Sequence, residues 1–570
     1  MKNSLNAVLL SVAIFVGIVG GTACALAKTA APKGMSYDSL PLVKKGGTFI
    51  DVLKANPITF NPLLIHTVPD REVEAYLDLS LFNHDGMTYE YYPALAEKVD
   101  ISKDHKDYTY TLNKIAKWSD GTSVTTDDFI YTFDKMMDPK TEAAAQRSYY
   151  TGVSIQKMDV LKFKFHVEKP QFNSIDALNE FIPVQKAQFE KEADFNKARA
   201  NLHPVVTGPY QVKAFSKDQF LTLERVPNWW AKDLPQFKAR FNFDVVQLKI
   251  MSDPALAYET FLKGDMDAYN FNTDQYVLQA RGSDKDKVGK TQNSGQKVWA
   301  MQFPSDAAQS WFGVALNQKH AFLKSLKVRQ ALTYLIDYDT LNQKVFYGLN
   351  DQCVTPFGGR TDNTPPELKN PKNLYHYDPK KAAELLKQDG WAGNGTDNFL
   401  HKSIDGKDTV LRFQLKFNLG SAPASGTVQM MKEEYKKAGI DLDLRSMDTT
   451  ALFQDFEDSK FDAILMGWGG GGIYPDPRQL WHSASAAGGS NKESYRNPEV
   501  DQLIEKADFE FNMKKREKIM QKITTILYHD LPYIFLSERK FILEGLNSRV
   551  KSPRWVERYS TSVANDLFYF

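Results

Sequence analysis

The sequence predicts a large, soluble globular protein of roughly three or four domain-sized units in which strand-like and helix-like stretches follow one another. Three observations carry this. The chain has 570 residues, too many for one ordinary core. Hydrophobic residues at 42% and charged residues at 25% fall in the globular range, and no tandem repeat or low-complexity segment interrupts them. Short alternating apolar runs are interleaved with amphipathic stretches that carry helix caps. The 71 Lys and Arg residues against 70 Asp and Glu leave a formal net charge of +1 with no basic run, which argues against nucleic acid or an anionic membrane as partner.

Taken in order, Lys2 precedes an apolar run from Ala7 to Val19, then small residues and Ala25-Leu26-Ala27 before Lys28, the pattern of a secretory signal peptide over residues 1–27. No later segment approaches the ~20 apolar residues a membrane span needs. Cys24 allows a second reading as a lipid-attachment site, but Gly21-Thr22-Ala23 lacks the leucine usual three residues upstream. With residues 1–27 removed, Cys353 is the only cysteine and no internal disulfide is expected. Residues 28–45, rich in Lys, Ala, Pro, Gly and Ser, are expected to form a solvated leader.

Gly47 to Val52 alternates as a strand, Phe60-Asn61-Pro62 breaks it, and Glu72 to Leu81 takes a helical spacing. Tyr108, Tyr110 and Leu112 alternate with Thr109, Thr111 and Asn113 in a half-buried strand. Lys117 to Gly121 reads as a turn. Thr125 with Asp128 then makes a capping box, and Phe129, Ile130, Phe133 and Met137 give the following helix one apolar face. Asp378-Pro379 through Leu385-Leu386 to Gly390 carries the cap, first-turn proline and terminal glycine of a helix. Asn497-Pro498 with Val500, Leu503, Ile504 and Ala507 begins another.

Phe461 to Pro477 has the composition of a ligand-holding stretch. An apolar run ends in Gly467-Trp468, four consecutive glycines and Tyr474-Pro475-Asp476-Pro477. Glycine backbones allow close approach, and the two aromatics supply flat apolar faces with a polar edge. A tight loop that only turns the chain is the alternative. Catalytic signatures fail. The ten histidines include no H-E-x-x-H, and no C-x-x-C occurs, so neither a metal site nor a cofactor is expected. Val288 to Thr291 ends like a phosphate-binding loop, but Asp284 stands where its first glycine is required, and a solvated charged turn is expected there. Gly467-x-Gly469-x-x-Gly472 matches a dinucleotide fingerprint in letters only, because Tyr474-Pro475 leaves no helix amino terminus. No catalytic residue is assigned.

The run KWSDGTSVTTDDFIYTFDKMMDP, Lys117 to Pro139, resembles the signature stretch of the large extracellular solute-binding proteins of ABC importers, the oligopeptide- and dipeptide-binding family. Thr207-Gly208-Pro209-Tyr210 with Leu223 to Trp230, Gly264-Asp265-Met266-Asp267, Leu316-Asn317, and Val328 to Leu332 with Ile336-Asp337 are similar to further landmarks in the same order. The resemblance implies an α/β, two-lobed periplasmic-binding-protein-like fold with mixed sheets. Its first lobe would be discontinuous (residues 46–62, 200–308 and 535–570), with an extra domain inserted at 63–199 and a second lobe at 309–534. The chain would cross twice between the lobes, as in the hinge closure for which periplasmic binding proteins are a standard example. The implied function is a periplasmic, monomeric, non-enzymatic protein that captures an oligopeptide between the lobes and hands it to importer permease subunits. An oligosaccharide or a nickel or haem complex is an alternative ligand within the family; a secreted hydrolase and a chaperone-like surface protein are readings of other classes.

In peptide-binding relatives an aspartate three residues beyond the Gly-Trp pairs with the peptide's α-amino group; here that position is Gly471. Either Asp476 supplies the missing carboxylate, or the ligand presents no free amine, or Asp476 only caps a turn. A family contact on the first lobe, acidic in relatives, aligns with His66, and Thr67 and Val68 are expected to offer backbone groups to an extended peptide. The expected binding set is Trp468, Gly469, Gly470, Gly471, Tyr474, Asp476, His66, Thr67 and Val68.

Overall fold

A computed structural model describes residues 37, 39–280, 287–291, 297–304, 307, 310–357, 363–395, 397–469, 474–558 and 562–570. Among the described residues, four of the six sheets build the main layers. In the first lobe, Thr48–Leu53 pairs in parallel with Val245–Ile250, which continues antiparallel to Phe220–Arg225 and Tyr210–Ser216. A second sheet of that lobe runs Ala268–Asn270, Phe541–Asn547, Lys297–Pro304, Lys287–Thr291. The inserted domain contributes an antiparallel sheet of Ala96–Ile101, Asp107–Leu112, Lys162–Val167 and Val153–Asp159. The second lobe holds a mixed six-stranded sheet ordered Asn350–Gln352, Tyr533–Arg539, Trp311–Leu316, Ala463–Trp468, Arg412–Asn418, Asp441–Met447.

Strand periodicity explains the cores. Along Asp107–Leu112 the even positions Tyr108, Tyr110 and Leu112 are buried, as alternation requires. Ala463–Trp468 lies inside its sheet and is covered on both faces: Ala463 and Leu465 join one apolar cluster, Ile464 and Met466 another. The second lobe thus has a core on each side of its sheet. The inserted domain instead shares one continuous apolar cluster with the first lobe, running from Phe49 and Trp229 to Phe129 and Phe163. Gly208 helps join them: its N–H donates to Leu77 O at 2.8 Å, and a Cβ there would come within 2.6 Å of that oxygen.

The capped helices form where the caps place them. Thr126–Met137 starts at the Thr125/Asp128 capping box, and Asp128 also accepts the Lys186 N–H at 3.0 Å. Pro379–Gln388 starts at Asp378, which accepts the Lys381 N–H at 2.9 Å, and Gly390 follows at φ +91°. Both chain crossings lie side by side. Lys297–Pro304 pairs with Phe541–Asn547 in the first lobe, and Trp311–Leu316 pairs with Tyr533–Arg539 in the second, so on one crossing Lys540 alone separates a strand of one sheet from a strand of the other.

Four expectations are corrected. The helix expected over Glu72 to Leu81 runs Val68–Leu77, because Thr67 caps it. The segment ending Val288-Gly289-Lys290-Thr291 is an edge strand paired with Lys297–Pro304 rather than a turn. The boundary expected at 534/535 falls inside Tyr533–Arg539, whose ladder to Trp311–Leu316 keeps it in the second lobe. The leader is not wholly solvated: Tyr37 is only 2% exposed, edge-on to Tyr92, with the Arg240 guanidinium 4.4 Å from its ring centre. Residues 1–36, including Cys24 and the expected signal peptide, lie outside the described residues. Cys353 is a free, buried thiol.

Candidate functional site

A cleft of about 1720 Å³ opens between the first-lobe sheets and the inserted domain, with Arg539 reaching its wall from the second-lobe sheet. That volume exceeds the roughly 300–1,000 Å³ of ordinary small-molecule pockets and suits an extended ligand. Its near wall is set by one buried carboxylate. Asp70, 0% exposed, gathers the N–H groups of Ile58 (2.6 Å), Thr59 (3.4 Å), His66 (3.3 Å) and Thr67 (3.1 Å), and so fixes the chain entering helix Val68–Leu77. That helix turns Arg71, Glu74 and Asp78 toward the cleft, while the short helix Ser174–Asn179 brings Asp176 and Glu180 to the same cavity.

The wall is electrostatically one-sided. Eight lining carboxylates (Asp51, Glu72, Glu74, Asp78, Asp176, Glu180, Glu544, Asp566) face four lining cations (Lys54, Arg71, Arg240, Arg539). Arg240 is engaged by Asp566. Enclosure, reinforced by Asp78 and Glu180, pushes Glu74 up to about 8; enclosure and Asp176 push Glu180 up to about 7. Asp78, held by the Thr207 N–H and hydroxyl at 3.1 and 3.2 Å, still rises to about 7 through burial, as does Asp51. Glu544 rises to about 8. Burial lowers the Arg539 guanidinium, with no carboxylate acting against it.

Of the residues expected to bind, His66 lines the cleft. Thr67 and Val68 stand at the start of a helix. The Thr67 N–H is taken by Asp70, and Val68 is the first residue of a helix with its side chain 70% exposed, because Thr67 and Asp70 form a reciprocal cap. Trp468 and Gly469 stand at the end of a second-lobe strand and do not line this cleft. The Trp468 ring packs on Phe456 at 5.8 Å and its indole N–H donates to Tyr533 Oη at 3.3 Å, while Gly469 borders open space. Gly470 and Gly471 lie outside the described residues. Asp476 is exposed and accepts the Arg478 N–H at 2.8 Å, a local cap.

Tyr474 does something the sequence did not suggest. Its ring meets Tyr89 at 5.7 Å and Phe172 at 5.4 Å, both on the inserted domain. Arg516 lies 4.3 Å over the Phe172 ring and donates to Pro475 O at 3.2 Å, and the Phe172 N–H donates to Asp508 O at 2.6 Å. The second lobe thus grips the inserted domain through Tyr474 and Arg516. The acidic wall also escaped sequence reading, although a signal existed: Glu74 with Asp78, and Asp176 with Glu180, are like charges spaced i, i+4, which an isolated helix disfavours.

Residues 90–492 match the profile of bacterial extracellular solute-binding proteins, family 5 Middle. The oligopeptide-binding protein AppA of Bacillus subtilis (strain 168) is 25% identical over 581 aligned positions, covering 100% of this chain and 98% of AppA. Its structure in complex with a nonapeptide superposes with a TM-score of 0.69 at 23% identity, covering 92% of this chain and 99% of that one. NikZ from Campylobacter jejuni, solved in complex with Ni(L-His), gives a TM-score of 0.70 at 22% identity over 92% of this chain and 99% of that one.

Proposed function

The chain belongs to the bacterial extracellular solute-binding proteins of family 5, and on that premise we propose that it captures an oligopeptide in the cleft and delivers it to the permease subunits of an ABC importer. The observation that carries this reading is the volume of the cleft together with its polar, ionisable lining, which suits a flexible chain bearing charged groups. Ligand contacts on both lobes would favour their approach by no more than the difference in affinity between the two arrangements. In this reading Arg539 acts from the second lobe, and His66 and the acidic wall act from the other side. The protein works as a monomer in the periplasm after export directed by residues 1–27, and leaves its ligand chemically unchanged.

Native mass spectrometry of the purified mature protein, followed by denaturation, tests this directly. Co-purified peptides of a narrow length range are the expected result. A sugar or a metal complex leaving the cleft would replace the oligopeptide as ligand, and shortened peptides after incubation would overturn the non-enzymatic reading.

A further inference from the structure

Arg539 ends the strand Tyr533–Arg539, and Lys540 alone separates it from the first-lobe strand Phe541–Asn547. Its backbone is held on two sides: it stands opposite Asn350 in one ladder, and its N–H donates to Ser310 O at 3.3 Å. The side chain therefore projects from a fixed root. Among the described residues it is also the one member of the second lobe that lines the cleft, the others belonging to the first lobe or the inserted domain. A ligand in the cleft that engages both lobes through the described residues has to do so at this side chain.

The Arg539 guanidinium has no anion of its own. The other three cations on the cleft are answered: Arg240 pairs with Asp566, Arg71 acts on Glu74 and Glu180, and Lys54 acts on Glu72 and Glu544. Even the adjacent Lys540 reaches Asp351, at 3.1 Å. The Arg539 side chain makes no hydrogen bond or ion pair among the described residues, and no carboxylate offsets the burial that lowers it. The residue is nonetheless exposed, so a solute can reach it. Accessibility combined with desolvation is the condition of a charge set in a concave wall, and a guanidinium already short of water gains more from a carboxylate than a fully hydrated surface arginine does. Its planar fork of donors matches the two oxygens of a carboxylate. Elsewhere along the wall a ligand carboxylate would meet carboxyl groups of the protein or cations they already engage.

We propose that Arg539 receives a carboxylate of the ligand in a two-bond, fork-to-fork contact, so that the protein selects oligopeptides bearing that carboxylate over the matching amides and ties them to the second lobe through it. This rests on the oligopeptide reading and names the ligand group that the second lobe engages. The carboxylate has two sources, the peptide's carboxyl terminus and an Asp or Glu side chain.

The test measures four pentapeptides by calorimetry on the mature protein: Ala-Ala-Ala-Ala-Ala as free acid and as carboxyl-terminal amide, and the amides of Ala-Ala-Glu-Ala-Ala and Ala-Ala-Gln-Ala-Ala. Within one of the two pairs the carboxylate peptide is expected to bind roughly tenfold tighter or more, with a ratio near one in Arg539→Gln. A preference for the free acid over its amide places the carboxyl terminus at Arg539, and a preference for the Glu amide over the Gln amide places a side chain there. A wild type indifferent to both carboxylates, or a preference undiminished in Arg539→Gln, would overturn the inference while leaving peptide capture intact. Failure of all four peptides to bind would overturn the peptide reading and this inference together. Because the native side chain holds no bond to the described residues, the urea midpoint of Arg539→Gln is expected to match the wild type. Should that variant not fold, Arg539→Lys, which keeps the charge but not the fork, is expected to lose roughly threefold or more of the ratio, and an unchanged ratio there counts against the contact.

Discussion

Glu493 lies in the second lobe with 0% exposure and neither carboxylate oxygen partnered by another residue, beside the buried Tyr533 phenol. Burial pushes it up from the ordinary 4.5 to about 8. The folded protein therefore holds a proton that the unfolded chain releases, so stability is greatest below the unfolded value and is lost as pH rises toward the folded one. The loss accrues at about 1.4 kcal/mol per pH unit, reaching roughly 3 kcal/mol at pH 7 and about 5 kcal/mol by pH 9. Glu493→Gln keeps the shape and carries no charge at any pH. Urea unfolding at pH 5, 7 and 9, following the transition of the second lobe, should show the variant gaining about 2–3 kcal/mol on the wild type between pH 5 and 7 and roughly 1–2 kcal/mol more by pH 9. Parallel pH profiles would refute the reasoning, because a carboxylate that costs nothing to ionise cannot be both buried and unpartnered.

Other expectations follow from the same geometry. Trp468→Ala should cost about 1.5–3 kcal/mol in urea unfolding, since the half-buried ring packs on Phe456 and its N–H reaches Tyr533; an unchanged midpoint would make it a pure ligand contact. Arg549→Ala removes the two donors, at 2.6 and 2.8 Å, that neutralise Asp267, which is 0% exposed; a loss of about 3–5 kcal/mol is expected, with partial recovery on adding Asp267→Asn. Tyr474→Ala should leave the second-lobe unfolding midpoint within about 1 kcal/mol but widen the ligand-free molecule in small-angle scattering, because it removes the ring held by Tyr89 and Phe172. An unchanged scattering profile would mean those contacts do not hold the inserted domain.

Elements whose cause is local were legible in the sequence. Thr125 with Asp128, and Asp378 with Pro379 and Gly390, specify helix ends within a few residues, and the Tyr108–Leu112 alternation specifies a strand and its buried face. The apolar run that ends in Gly467-Trp468 forms the strand Ala463–Trp468. What escaped depends on partners distant in sequence. Tyr37 is buried because Arg240 and Tyr92 meet it, and nothing near residue 37 says so. Thr67 and Val68 were expected, from the family resemblance, to offer backbone groups to a peptide, and the Thr-x-x-acid spacing at Thr67 and Asp70 is the local signal that a helix starts there. The acidic wall needed two helices about a hundred residues apart to face one cleft, and only the i, i+4 like-charge pairs hinted at it.

The paired strands that join the lobes also set what kind of motion the molecule can make. Within each sheet, inter-strand hydrogen bonds hold neighbouring strands at a spacing of about 4.8 Å and resist splaying, so a turn between the sheets is left to the segments that connect them. Between Arg539 in one sheet and Phe541 in the other stands only Lys540, leaving very few torsions over which to distribute a turn. On this crossing a change of direction between the two sheets falls on the backbone torsions around Lys540. Paired spin labels, one on each of the two sheets, would read any such turn as a change in distance.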